Sequence, residues 1–424
     1  MSPKQFLVIT PFAWLALLVS ATAQTSALQI SEKAKEIHDS AIVIDTHADT
    51  PQRFLDENFD LGSVTPVNEG NIDLQKARKG NLGAEFFSIW VAPDIYKGHY
   101  AKRTLDLIDS VYEQAARHPG QMMMAFSAED IVEARTGRQK KLAALMGIEG
   151  GHSIEGDIRL LRDFYRLGVR YMTLTWSNTN EIGDSSGDIN DPKVEHHNGL
   201  TPFGKQVVVE MNRLGMMVDI SHVADKTFWD TIAVTKAPVI ASHSSARSIS
   251  QAPRNMTDEM LRAVAKNGGV VDINFYSGFL DEKYREAEQA QKPQQDAAVN
   301  AALKSRREKG LPVDYMDEEK IQREWMAKIP RPPLSALIDN IDHVTKVAGI
   351  DHVGLGSDFD GVSGALPAGM DSVADLPKIT QALVERGYTP EQIQKVLGGN
   401  VLRVFREVER VSHEMRGEQE AQAR

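Results

Sequence analysis

Cysteine is absent from all 424 residues. No disulfide can staple this chain, so its stability rests on a packed core and on whatever it binds. Low-complexity tracts and internal repeats are absent too, and so is any long apolar run beyond the first. Positive charge is in deficit: the net charge is −11, which argues against a nucleic-acid partner. What remains is 42% hydrophobic residues over a chain long enough for a full-sized core.

The one long apolar run, "FLVITPFAWLALLVS", follows a single Lys and precedes "ATA" at 21–23. Lysine, apolar stretch, then a small-x-small site is the pattern of a secretory signal peptide, and Pro11 interrupts a run already short for a membrane span. Residues 1–23 are therefore expected to be removed, which takes Lys4 with them and leaves a net charge of −12 on 24–424. The opposing reading is an uncleaved anchor. No apolar C-terminal tail suggests a lipid anchor. The expectation is an exported protein, periplasmic or secreted, with no stable membrane anchor; a homodimer is compatible with it.

Eight short runs read as strands: "AIVIDTH" (41–47), "AEFFSIWV" (84–91), "LAALMGIEG" (142–150), "VRYMTLTW" (169–176), "MMVDISH" (216–222), "APVIASHS" (237–244), "GGVVDINFY" (268–276) and "HVGLGSDFD" (352–360). Between most of them lie segments of helical periodicity that open on Ser or Thr and close on Gly168, Gly215 and Gly268. Strand–helix alternation of this kind predicts parallel strands with crossover helices, and eight units close most economically as a (β/α)8 barrel in one domain. Residues 281–330 break the repeat. They are charged and poor in apolar residues, and read either as a helical excursion on the active face or as a partly disordered loop.

The strand ends carry the chemistry. His47 and Asp49 end the first strand, Glu149 the third, His222 the fifth, His243 the sixth and Asp358 the eighth. Alternation in an extended segment would put Asp45 on the same side as His47 and Asp49. Barrel enzymes place their reactive groups at this rim. Three of twelve histidines, each directly after an apolar run and joined by carboxylates, suit zinc or a similar divalent ion. Five ligands exceed one tetrahedral site, whereas two ions sharing a bridging carboxylate would use them all. The fourth strand offers no Lys as a bridge, which leaves Glu149. Such a pair, about 3.5–4 Å apart, would hold a hydroxide as nucleophile. Asp358 reads as the general base.

The stretches "IDTHAD", "GIEGGHSI", "GLTPFGKQVVVEMNRLGMMVDISHV", "APVIASHSSARSISQAPRNMTD", "VDINFY" and "HVGLGSDFDGV" resemble the membrane (renal) dipeptidase family of zinc-dependent barrel peptidases. The resemblance runs from about residue 40 to 362 in the family's order. It implies one Zn2+ at His47 and Asp49, a second at His222 and His243, and Glu149 as the bridge. It also implies Arg254 as the clamp on the substrate's free carboxylate, Asp358 as the acid/base residue, and dipeptides, including L,D-dipeptides, as substrates. An Arg fork suits a carboxylate because it offers two parallel bonds.

One departure stands out. Where the family commonly reads "TLTH", this chain reads "TLTW", so Trp176 replaces a substrate-binding His. Indole has one N–H donor and carries no positive charge. Asn178, two residues on, would share the side of Trp176 if the chain stays extended, and is the expected substitute donor, with the ring N–H of Trp176 or the metals alone as the alternatives. His152 reads as a loop-fixing residue, Asp45 as support for a ligand, His196 and His197 as candidates for the entrance, and Tyr276 as substrate-facing or packing. Two rival readings remain: a related amidohydrolase cleaving N-acyl amino acids or lactams, and a degenerate binding protein, against which the intact ligand set argues.

Overall fold

The computed structural model describes residues 29–66, 69–311, 313 and 315–422. The expected signal peptide lies outside them. Nine strands form one sheet: β1 (Val43–Ala48), β2 (Leu82–Trp90), β3 (Met122–Met124), β4 (Leu142–Glu149), β5 (Val169–Thr173), β6 (Met217–Asp219), β7 (Ile240–Ser244), β8 (Val270–Ile273) and β9 (Val353–Leu355). Eight run in the order β1-β2-β4-β5-β6-β7-β8-β9, every pair parallel. A parallel bridge between Ala48 and Phe359 joins the two ends of that path. The eight strands are thus a (β/α)8 barrel, with helices between them covering both the sheet and each other.

The strands are buried along nearly their whole length, as parallel strands covered by helices must be. Helix starts follow the local chemistry: Thr201, Thr257 and Asp73 each accept a backbone N–H with the side chain at the N-cap. The sequence did not suggest β3. It is a three-residue run without β-branched residues, and pairs only with the start of β4, off the barrel path. Within 281–330 the described residues include two helices, Glu282–Glu308 and Tyr315–Met326.

Two expected strands are shorter than their apolar runs. β6 stops at Asp219 and β9 at Leu355, three residues before His222 and Asp358. Both residues then take left-handed backbone conformations, φ 65° and φ 61°. A non-glycine side chain is rarely held there, and such outliers gather where function over-determines the backbone. In β1 the register also slips: Asp45 to Ala48 spans three residues against two from Glu85 to Phe87. This bulge breaks the alternation expected to carry from Asp45 to His47. Asp45 instead turns to backbone, accepting from Ser357 N at 2.8 Å and His47 N at 3.3 Å.

Candidate metal centre

The closure of the barrel assembles its rim. Asp49 N donates to Phe359 O at 2.8 Å and Asp358 N to His47 O at 3.0 Å, so the first and last strands deliver three reactive residues together. Glu149 stands in the middle. Its Oε1 lies 2.8 Å from His222 Nε2 and 3.4 Å from His243 Nε2, while its Oε2 lies 3.4 Å from His47 Nε2. His47 Nε2 is in turn 3.7 Å from Asp49 Oδ2. His47, Glu149 and His243 offer ligand atoms within 4.8 Å of one another, and so do His47, Asp49 and Asp358. All six residues read from the strand ends therefore meet in one place.

The outer nitrogens of His47 and His243 are fixed, while that of His222 has no partner among the described residues. Tyr171 Oη donates to Thr46 O at 3.1 Å, so at 2.8 Å it must accept from His47 Nδ1. Ser242 Oγ donates to Asp219 Oδ2 at 2.6 Å and accepts from His243 Nδ1 at 2.7 Å. Both imidazoles are thereby anchored at Nδ1 with Nε2 turned to the cluster, the arrangement that orients metal-ligating histidines. Burial, reinforced by nearby positive charge, lowers the pKa of His222 to about 4 and that of His243 well below the ordinary value. Yet the two Nε2 atoms face each other at 2.9 Å. That approach requires a proton or a metal ion shared between them. His47 Nε2 and Asp49 Oδ1 are likewise buried with no hydrogen-bond partner among the described residues. The donor set, imidazole nitrogen and carboxylate oxygen, fits zinc.

Room for this arrangement comes from small residues. A side chain at Gly147 would strike the ring of Tyr171, its register partner on β5, at 1.9 Å. One at Gly361 would strike Asp49 Oδ2 at 2.0 Å and Asp358 Oδ1 at 2.5 Å. Tyr171, Asp219, Ser242 and Asn274 were missed in the sequence; the available signal was a polar residue inside each apolar strand run.

A cavity of about 680 Å3 opens over the cluster, with Asp49, Glu149, His222 and Asp358 among its lining and the two helices of 281–330 on its far side. Burial pushes the Asp358 carboxyl up to about 7; His47 pulls it down, and Asp49 and Glu149 add to the rise. Asn274 Nδ2 donates to Asp358 Oδ2 at 2.8 Å. Arg254 lies beside the cluster, not on the cavity lining, and gives Nη1 to Ser244 Oγ at 2.7 Å and Nη2 to His243 O at 2.8 Å. Its Nε is buried without a partner among the described residues.

Trp176 lines the cavity, 4.9 Å from Trp90 and 6.4 Å from His222 between ring centroids. Asn178 does not. β5 ends at Thr173 and residues 176–178 are a bend, so the extended geometry that paired Asn178 with Trp176 is not there; Ser177 lines the cavity instead. His152 fixes a loop through Nε2 to Val91 O at 2.9 Å. His196 and His197 lie off the lining, while Tyr276 is on it.

Residues 31–419 match the membrane dipeptidase family, peptidase family M19. The chain belongs to the membrane dipeptidase family. Human dipeptidase 3 is 31% identical over 400 residues, 93% of this chain and 71% of that protein. The crystal structure of a probable dipeptidase, PvdM, from Pseudomonas aeruginosa superposes with a TM-score of 0.74 at 25% identity, over 89% of this chain and 98% of that one. A metallopeptidase from Rhodobacter sphaeroides, solved with a phosphinate mimic of L-Ala-D-Ala, has the same fold at a TM-score of 0.68 and 23% identity, over 87% and 99%. A membrane dipeptidase family member is an enzyme of metallo-dipeptidase type. Among the described residues, no helix is long and apolar enough to cross a membrane.

Proposed function

We propose that this family member is a two-zinc dipeptidase that hydrolyses the single peptide bond of small dipeptides, L,D-dipeptides included. The observation that carries the reading is Glu149, whose two oxygens face separate imidazole sets. His47 and Asp49 would hold one ion, His222 and His243 the other, with Glu149 between them. Zinc in such a pair supplies Lewis-acid polarisation of the carbonyl and a more acidic water.

The chain's own residues supply the rest. Asp358, half-buried beside the cluster and held by Asn274, would take a proton from the attacking water and return it to the leaving amine. Arg254, beside the cluster, would clamp the substrate's terminal carboxylate, because among the described residues its guanidinium bonds only neutral oxygens. Trp176 walls the cavity where the family's His would donate. Asn178 is withdrawn as the carbonyl donor, since the bend at 176–178 removes the extended geometry that would set it beside Trp176. A related amidohydrolase acting on N-acyl amino acids or lactams is the second reading, favoured by the apolar indole at 176 and by a cavity roomier than a small dipeptide needs.

Elemental analysis joined to a panel of L,L, L,D and D,D dipeptides and their N-acyl counterparts tests both readings. Two zinc ions per chain with turnover of free dipeptides is the expected result. Full activity with one ion or none would overturn the two-zinc reading, and turnover confined to N-acyl substrates would select the amidohydrolase. Export is our reading of residues 1–23; a mature chain starting near Gln24, seen by intact mass, is its expected mark.

A further inference from the structure

On the rim opposite the metal cluster, a depression of about 420 Å3 is lined by Arg78, Arg135, Arg138 and Lys140 and by no carboxylate. It sits where β2 and β4 begin, and Leu82 and Leu142 add apolar lining. Cations elsewhere on this acidic chain commonly find partners, as Arg103 does with Asp56 at 2.8 Å and Arg247 with Asp225 at 2.7 Å. These four do not. The guanidinium of Arg78 bonds Gln121 Oε1, and that of Arg135 bonds Asn81 Oδ1 and the Asp39 carbonyl, all neutral oxygens. Arg138 and Lys140 form no ion pair among the described residues.

Helix dipoles explain half of this. Arg78 and Arg135 lie in the last turns of the helices Leu74–Lys79 and Ala128–Thr136, where a cation complements the carbonyl end. Arg138 and Lys140 lie past that helix end, in the turn leading to β4, where the dipole makes no demand on them. Arg135 is also only half-exposed, and burial lowers its pKa against the pull of Asp39. A half-buried guanidinium without a carboxylate partner is stabilised when an anion arrives.

We propose that this depression binds a phosphate monoester, either free or as the headgroup of a phosphatidic acid. A carboxylate would carry one charge to four cations, whereas a phosphate monoester brings about two charges and three acceptor oxygens. Guanidinium forks match those oxygens in pairs. The concave shape favours a compact anion over an extended polyanion, and the net charge of −11 opposes a nucleic acid.

Calorimetry on the metal-loaded enzyme at fixed ionic strength, with glycerol 3-phosphate as the probe, tests this. Saturable binding is expected in the wild type and at least about tenfold weaker binding in Arg135→Gln/Arg138→Gln, with dipeptide hydrolysis unchanged. Arg78→Gln/Lys140→Gln changes exposed positions only, and should weaken binding without disturbing the fold. Vesicles of phosphatidylcholine with and without phosphatidic acid form the second arm. Binding to phosphatidic acid vesicles alone, lost in the same variants, assigns the lipid as the source. No binding in either arm, binding that both double variants retain, or displacement of the probe by dipeptide would overturn the proposal.

Discussion

Two buried glutamates on neighbouring strands, Glu149 on β4 and Glu85 on β2, have opposite fates. Both are almost wholly out of solvent, at 4% and 0% exposure, and burial works to raise the pKa of each. For Glu149 the charge of His47 and bonds from His222, His243 and His47 overcome burial and hold the carboxyl well below its usual range. Glu85 has no hydrogen-bond partner on either oxygen among the described residues, and faces Asp45 across the β1–β2 register. Its pKa is pushed well up by burial and then by Asp45. Burial alone does not decide whether a group is charged; its partners do. Arg254 falls between the two, a half-buried cation held by neutral oxygens, with desolvation lowering its pKa to about 10.

The largest expected effect comes from removing the charge at Glu149. Glu149→Gln keeps the shape and deletes one anionic oxygen from between the imidazole sets. Activity should fall by more than the about 10–100-fold typical of losing an outer partner, and elemental analysis should find at least one ion loosened. A variant that retains both ions and wild-type turnover would contradict Glu149 as the shared ligand.

Tyr171→Phe asks a milder question, because it leaves every candidate ligand in place and frees His47 Nδ1. Metal affinity should drop about 10–100-fold, restored activity at high zinc distinguishing this from a folding defect. Unchanged affinity would mean that the tyrosine only fills the space Gly147 leaves. Arg254→Ala should raise KM for free dipeptides about ten- to a hundredfold and far less for their C-terminal amides. Equal losses on both substrates would remove the carboxylate clamp.

The difference between the two glutamates also marks what the sequence could and could not tell. The eight barrel strands were legible because each is an apolar run buried on both faces, and the rim residues because a charged or imidazole side chain follows each run. That order brought His47, Asp49, Glu149, His222, His243 and Asp358 to one cluster. Chain path at the rim was not legible. The bulge between Asp45 and Ala48, the left-handed His222 and Asp358, and the bend that carries Asn178 off the cavity all depend on long-range closure. The outer partners were hidden for a related reason: Tyr171 reaches His47 from a strand 124 positions away, and periodicity carries no such information.

The smallest expected effect is on stability, and it runs the other way. Because the folded-state pKa of Glu85 is raised above the unfolded value, the native protein keeps a proton that the unfolded chain has released. Its contribution is fully present below about pH 4.3 and is lost as pH rises toward the folded value, at up to about 1.4 kcal/mol per pH unit. Glu85→Gln removes the ionisation while keeping the size. The variant should therefore be more stable than wild type at pH 8, and the advantage should shrink toward pH 5. Every other titrating group, and the metal centre, is present in both proteins, so the difference between their denaturation curves reports Glu85 together with its coupling to Asp45. A stability difference that stays constant from pH 5 to 8 would show that Glu85 ionises normally in the fold, and that it has a partner Glu149's comparison denies it.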